Sequence, residues 1–356
     1  MNLLNNKLYQ EELKAIASLQ LPWEELQGKT LLITGATGMI GSCLIDVLMA
    51  KNRQEHLNCK VITVNRHVEK AEQRFAPYVK EGSLTCLGMD VNRPIANLPG
   101  RHIDYILHLA SNTHPKAYAT DPIGTVRTNI IGTDNLLQWA VSIKAERFLF
   151  ASSVEIYGQN RGDQELFDEE YCGYIDCNTM RAGYPESKRC GEALCQAYRA
   201  QENLNVVIAR LSRSYGPTLL QSDTKALSQF LHKALAGEDI VLKSEGMQYY
   251  SYIYVADAVS ALLTILLLGK NGEAYNVADE NSDVRLKDLA QTVASFAGKQ
   301  VVFEIPDSVE QAGYSKATLA RMSGKKLQTL GWHALYNIKD GIHRTLSIMQ
   351  QCGQAD

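Results

Sequence analysis

Several features that would narrow the identity of this chain are missing from it. No uncharged apolar run of roughly eighteen residues or more occurs, and the longest candidate, AVSALLTILLLG at 258–269, suits a buried helix better than a membrane span. The opening MNLLNNKLYQEELKAIASLQLPWEEL lacks the basic start, apolar block and small-residue cleavage site of a signal peptide, so a cytoplasmic location is expected. There is no basic run, and a net charge of -3 leaves no footprint for a nucleic-acid partner. Internal repeats and low-complexity tracts are absent too. The eight cysteines fall short of a zinc pattern: Cys190 and Cys195 lie in an expected helix, where their side chains diverge, and Cys172 with Cys177 has no matching pair. Reduced, structural thiols and no metal are the expectation.

What remains is a chain of 356 residues, 45% hydrophobic and 21% charged, enough for one large or two modest soluble domains. Residues 1–27 contain a helical stretch at 6–18 and read as an extension lying on the fold. From 28 to 215, apolar strand candidates (31–34, 61–65, 84–91, 105–111, 147–153, 206–212) alternate with helical segments such as 129–143 and 187–202. Near-continuous apolar strands between helices indicate a parallel sheet covered on both faces, an α/β doubly wound Rossmann-type fold. After Gly216 the alternation loosens, so 216–356 is expected to form mainly a smaller substrate-binding lobe, with segments near 245–278 returning to the first domain.

TGATGMIGS places Gly35, Gly38 and Gly41, with Thr37, Met39 and Ile40 between them, straight after a strand and straight before a helix. Glycine allows the tight turn and the close approach of backbone to a pyrophosphate, whose charge meets N–H groups at the helix N-terminus. A dinucleotide, NAD or NADP, is therefore the expected cofactor. The second strand ends in Asn65 and Arg66 where NAD recognition normally places a carboxylate. Arg66 suits a 2′-phosphate, or stacks on the adenine, or faces solvent; Asp90 and Val91 either meet the adenine edge or simply end a strand.

RFLFASSVEIYG ends a strand at the sheet's carboxyl side, where ligands bind in such folds, and offers Ser152, Ser153 and Glu155. MRAGYPESKR places Pro185 in the first turn of a helix, with Tyr184 at its start and Lys188 one turn on along the same face. A phenol is a poor base at neutral pH unless a cation stabilises the phenolate, and Lys188 is placed for that.

These motifs, together with LHLAS, the Asn129-Gly132-Thr133-Asn135 pattern, YGP, YIYVADAV, YNVA and LGW, resemble the extended short-chain dehydrogenase/reductases. That superfamily includes the nucleotide-sugar epimerases, dehydratases and decarboxylases. The resemblance runs through nearly the whole chain from Gly28. It implies a Ser153–Tyr184–Lys188 triad, with Asn129 as a structural or proton-relay residue. It also implies cofactor contacts from Leu109, Ala110 and Ser111, and substrate contacts from Thr113, Arg181, Arg213 and Tyr250. The implied partners are a nucleotide-diphosphate sugar and a second copy of the chain, as a homodimer packed through 129–143 and 187–202.

Ser153-x-Glu155 is similar to the Thr-x-Glu of GDP-mannose 4,6-dehydratases and UDP-glucuronate decarboxylases, and RAGYPESKR is similar to the decarboxylases' segment. The implied chemistry is transient oxidation at C4, after which Glu155 would act at C5; the plain alternative is that Glu155 caps a turn or pairs with an arginine. The departures from the family lie around the triad. Val154 stands at the dehydratases' aspartate, Thr218 at a decarboxylase arginine, Arg213 at an asparagine, and Tyr250 at the phosphate-binding arginine. Arg213 is expected to replace the missing charge at the substrate's phosphates or carboxylate, with a surface salt bridge as the plain alternative. Arg181 either lies beside the sugar or pairs with Asp176 or Glu186. LFDEEYCGYIDCNT (166–179) is expected to cover the pocket. Epimerase or dehydratase ranks first, UDP-glucuronate decarboxylase second, and an NADPH-dependent keto-sugar reductase is the rival that Arg66 supports. A non-catalytic dinucleotide-binding protein is the alternative from another class.

Overall fold

The computed structural model describes residues 3–95, 102–113, 120–304 and 318–353. Strands β1 (Thr30–Thr34), β2 (Lys60–Asn65), β3 (Leu84–Gly88), β4 (Tyr105–His108), β5 (Arg147–Ser153) and β6 (Val206–Leu211) alternate with helices. These are α1 (Lys7–Ala17) ahead of β1, α2 (Met39–Glu55), α3 (Val68–Arg74), α4 (Ala76–Lys80), α5 (Pro122–Ser142) and α6 (Gly183–Glu202). Then follow β7 (Arg213–Tyr215), α7 (Ala226–Leu235), β8 (Ile240–Leu242), β9 (Tyr249–Tyr254), α8 (Val255–Leu268) and β10 (Ala274–Val277). The chain continues through β11 (Asp283–Arg285), α9 (Leu286–Ala297), β12 (Val301–Phe303), β13 (Leu319–Ala320), α10 (Lys325–Gln328) and α11 (Ile338–Gly353).

The main sheet has seven strands in the order β10-β6-β5-β4-β1-β2-β3, and every pairing is parallel. Leu31, Leu32 and Ile33 of β1 are fully buried, as a strand covered on both faces requires. Strand order reverses between β1 and β4, where Thr34 lies opposite His108, and ligands bind such folds at that crevice. The strand candidates at 84–91 and 105–111 overran: β3 stops at Gly88 and β4 at His108, because the next residues turn across the sheet's carboxyl edge.

AVSALLTILLLG lies in α8, buried on all sides from Val255 to Leu266. Among the described residues no helix is long and apolar enough to cross a membrane. β10 joins the edge of the main sheet beside β6, so the chain returns to it late. β9 centres a second, smaller sheet with β7, β11 and β13. α1 is part of the core rather than a loose cover: Tyr9, Leu13 and Ile16 are buried, and Asn6 caps its first turn by accepting from the Tyr9 N–H at 3.1 Å. All eight cysteines are free, with Cys172 and Cys177 exposed.

Candidate active site

The glycine turn sits against the end of β4. Gly35 has φ +69, and a Cβ there would lie 2.7 Å from both the Ala110 nitrogen and the Leu109 carbonyl carbon. A Cβ at Gly41 would lie 2.4 Å from the Gly35 oxygen. Side chains are therefore excluded at both positions, and the backbone itself forms the floor of the crevice. Gly38 caps α2 without any side-chain hydrogen bond, which leaves the start of a seventeen-residue helix open to an anion. This cradle fits a dinucleotide pyrophosphate. Thr218 ties to the start of α2, its hydroxyl donating to the Met39 carbonyl at 2.9 Å.

Thr34 and His108 tie the two strands of the crevice together. The Thr34 hydroxyl accepts from the Ala110 N–H at 3.1 Å and bonds His108 Nδ1 at 2.8 Å, while His108 Nε2 meets the Thr133 hydroxyl at 3.1 Å. Burial, and then the charge of Lys188, push His108 down to about 3, so it is a neutral strut. Asn65 is buried and donates to Thr63 at 2.7 Å, while Arg66 beyond it is exposed. Asp90 closes a turn by accepting from the Asn92 N–H at 3.0 Å. Val91 explains part of the 129–135 pattern: its side chain fills the space a Cβ on Gly132 would need, and its carbonyl accepts from Asn135 at 2.8 Å.

β5 delivers Ser153 to the same edge, where it caps a 3-10 turn by accepting from the Glu155 N–H at 3.2 Å. α6 begins at Gly183 and brings Tyr184 and Lys188 to it, both buried. Burial pushes the Tyr184 phenol up to about 12, against a lowering hydrogen bond with Ser153; the Glu155 charge raises it and Arg181 lowers it. Lys188 is pulled down to about 7 by burial, with Glu192 and Cys195 opposing. Its amine donates to the Ala151 carbonyl at 2.7 Å and lies 4.8 Å from the Phe150 ring centre. Asn129 is fully buried between the crevice and the helix: it accepts from the Ser111 hydroxyl at 2.7 Å and donates to Ser187 at 2.9 Å. Ser187 in turn donates to the Tyr184 carbonyl at 2.9 Å.

On the outer side, Arg181 pairs with Glu155 at 3.1 Å, an acid other than the two the sequence suggested. Asp176 instead caps a turn at Asn178, and Glu186 pairs with Arg189 at 3.4 Å. Among the described residues Arg213 forms no salt bridge; its guanidinium lies over Tyr250, 3.6 Å from the ring centre. Val154 is buried and offers no proton. Thr113 is exposed at the end of the loop that follows β4. The 158–179 segment is firmly anchored: Phe167 is fully buried and bridges to Met322, and Gly173 and Glu169 lend their carbonyls to Arg189 and Arg210, both at 2.7 Å. The site brings together Ser153, Glu155, Tyr184, Arg181 and Lys188. Sequence reasoning passed over His108 and Ser187, and the polar residue inside the apolar YILHLAS strand was the available signal for His108.

A family model described as the NAD dependent epimerase/dehydratase family matches residues 31–278. UDP-glucuronic acid decarboxylase 1 of Xenopus tropicalis is 30% identical over 90% of this chain and 72% of its own length. UDP-glucuronic acid decarboxylase 6 of Arabidopsis thaliana is 29% identical over 88% and 86%. Among solved structures, UDP-glucuronic acid 4-epimerase of Bacillus cereus, in complex with UDP-glucuronic acid and NAD, superposes with a TM-score of 0.76 at 21% identity, covering 91% of this chain and 99% of the other. The dTDP-glucose 4,6-dehydratase DesIV of Streptomyces venezuelae gives 0.75 at 23%, covering 90% and 97%. At those identities the structures share the fold.

Proposed function

The chain is an enzyme that belongs to the NAD dependent epimerase/dehydratase family, and from that premise we propose a redox-neutral reaction on a nucleoside diphosphate sugar, begun by transient oxidation at C4. The carrying observation is the buried meeting of Ser153, Tyr184 and Lys188 at the end of β5, linked through Ser187, Asn129 and Ser111 to the glycine crevice. Tyr184 Oη takes the proton of the sugar 4-hydroxyl, Ser153 Oγ hydrogen-bonds the same oxygen, and Lys188 supplies the cation behind them. The glycine turn and the open end of α2 would hold a nicotinamide dinucleotide, which would supply reversible hydride acceptance at C4. Leu109, Ala110 and Ser111 line that crevice, and Arg66, exposed past β2, is the residue that would meet a 2′-phosphate if NADP were used.

Among the reactions open to a 4-keto sugar, we favour decarboxylation of a UDP-uronate. The relatives from Xenopus tropicalis and Arabidopsis thaliana are UDP-glucuronic acid decarboxylases, and two local features point the same way. Val154 gives no acid to expel a hydroxyl, and Arg181 places a cation next to Glu155 at the sugar end. The ketone makes a C6 carboxylate a β-keto acid; the C5–C6 bond breaks, carbon dioxide leaves, its electron pair enters the enolate, and C5 takes up a proton. Glu155 is assigned that proton. Arg213, Tyr250 and Thr113 belong to the substrate side, the 166–179 segment to the pocket's cover, and α5 with α6 to a homodimer interface.

Replacing Tyr184 with Phe tests the assignment. Turnover should fall by roughly 100-fold or more, as for loss of a general base, with nucleotide binding retained. Undiminished turnover would remove Tyr184 from the chemistry. Following the reduced nicotinamide band separates the reductase, which would consume cofactor in step with product.

A further inference from the structure

Glu192 stands on α6 four residues after Lys188, so the two side chains share one helix face within reach of each other. α2 shows what that spacing does when nothing intervenes: buried Lys51 closes on Glu55, four residues on, at 2.6 Å. Lys188 does not close on Glu192. Among the described residues no carboxylate pairs with Lys188, and its amine donates to the Ala151 carbonyl at 2.7 Å. Glu192 is taken from the sheet side instead. Arg210 donates to it from Nε to Oε1 at 3.1 Å and from Nη2 to Oε2 at 2.7 Å, and both side chains are only 12% exposed.

Arg210 is itself fixed. β6 sets it between Ser152 of β5 and Asn276 of β10, and its Nη1 donates to the Glu169 carbonyl at 2.7 Å and the Tyr157 hydroxyl at 3.0 Å. A planar fork engaged on every edge holds its carboxylate in one orientation. The other titratable groups around Lys188 are Tyr184 and Cys195 on its own helix and His108 from β4; burial pushes the phenol and the thiol up and keeps the imidazole neutral. Elements packed on α6 add Asp134 of α5, which accepts from Tyr198 far along the helix, and Glu155, which pairs with Arg181. Glu192 is therefore the anion placed to capture the amine.

We propose that Arg210 is a positioning residue for the reaction: by clamping Glu192 it keeps that carboxylate off Lys188 and leaves the amine available to Tyr184. This role rests on the Tyr184–Lys188 assignment above. Released from Arg210, Glu192 sets a negative charge against Lys188, which then keeps its proton to higher pH. Losing Glu192 alone leaves the Arg210 charge uncancelled and acts in the opposite direction.

Two measurements on the full chain test it: titration of Lys188, followed by carbon-13 NMR of its Cε and assigned by the signal missing from Lys188→Met, and turnover of UDP-glucuronate with NAD. Arg210→Met should raise the Lys188 midpoint by roughly one pH unit and lower kcat by on the order of 10-fold. Glu192→Gln should lower the midpoint and keep kcat within about threefold of wild type. The double variant, with both charges gone, should return both quantities close to wild type. Both single variants break the same buried pair, so a purely structural role would impair them alike. Thermal melting checks folding; if Arg210→Met does not fold, Arg210→Lys, which keeps the charge without the fork, should move the midpoint the same way by less. An unmoved midpoint in a folded Arg210 variant overturns the inference, as does a raised midpoint with kcat unchanged, or an equal loss of kcat in the two single variants. Absence of wild-type turnover overturns the substrate reading instead, and the Lys188 titration still decides whether Arg210 keeps Glu192 away.

Discussion

Lys188 carries its amine into a place where an ammonium is poorly solvated, with one carbonyl at 2.7 Å and an aromatic face as company. Burial lowers it from 10.5 to about 7. Between those values the unfolded chain holds the proton and the folded chain does not, so this residue's contribution to stability rises with pH from about 7 toward 10.5. Lys188→Met lacks that rise. The stability of the variant relative to wild type should therefore be greatest near neutrality and shrink as pH increases, in urea titrations at several pH values. A pH-independent difference would mean that the amine is solvated and ordinary. The same perturbation suits function: a phenol raised to about 12 by burial needs a cation brought close without being locked into a carboxylate pair.

The N-terminal helix is the element whose role the sequence understated. Glu12 on α1 is buried and accepts from Tyr254 of β9 at 2.7 Å and from Arg344 of α11 at 2.6 Å, while Tyr9 donates to Asp46 of α2 at 2.7 Å. One helix thus joins the crevice helix α2 to the sheet that carries Tyr250. Glu12→Ala leaves a guanidinium partly buried without its closest carboxylate and should cost about 3 kcal/mol in denaturant unfolding. A change below about 1 kcal/mol would show that α1 is held by its apolar face alone. The periodicity of residues 6–18 predicted the helix, but a pattern of apolar spacing cannot say that an acid on that helix will be buried against Tyr254 and Arg344, more than two hundred residues away.

For the whole molecule, the parallel sheet, its glycine turn and the Ser153–Tyr184–Lys188 grouping were legible because each is encoded locally: apolar strands, φ-permissive glycines, and a one-turn helical spacing. Pairings across elements were not. Arg181 was matched to nearby acids in sequence, yet the fold hands it Glu155 from another strand end; Arg213 gave no hint of the ring beneath it, because Tyr250 lies some forty residues on, in the neighbouring strand β9 of the second sheet. Arg181 beside Glu155 is proposed to serve a uronate oxidised at C4. The most direct measurement is the product mass after purified enzyme is incubated with UDP-glucuronate and NAD. Decarboxylation gives a product lighter by one carbon dioxide, formed without net reduction of NAD. An unchanged substrate mass, a product lighter by one water, or NAD reduced in step with product would contradict it.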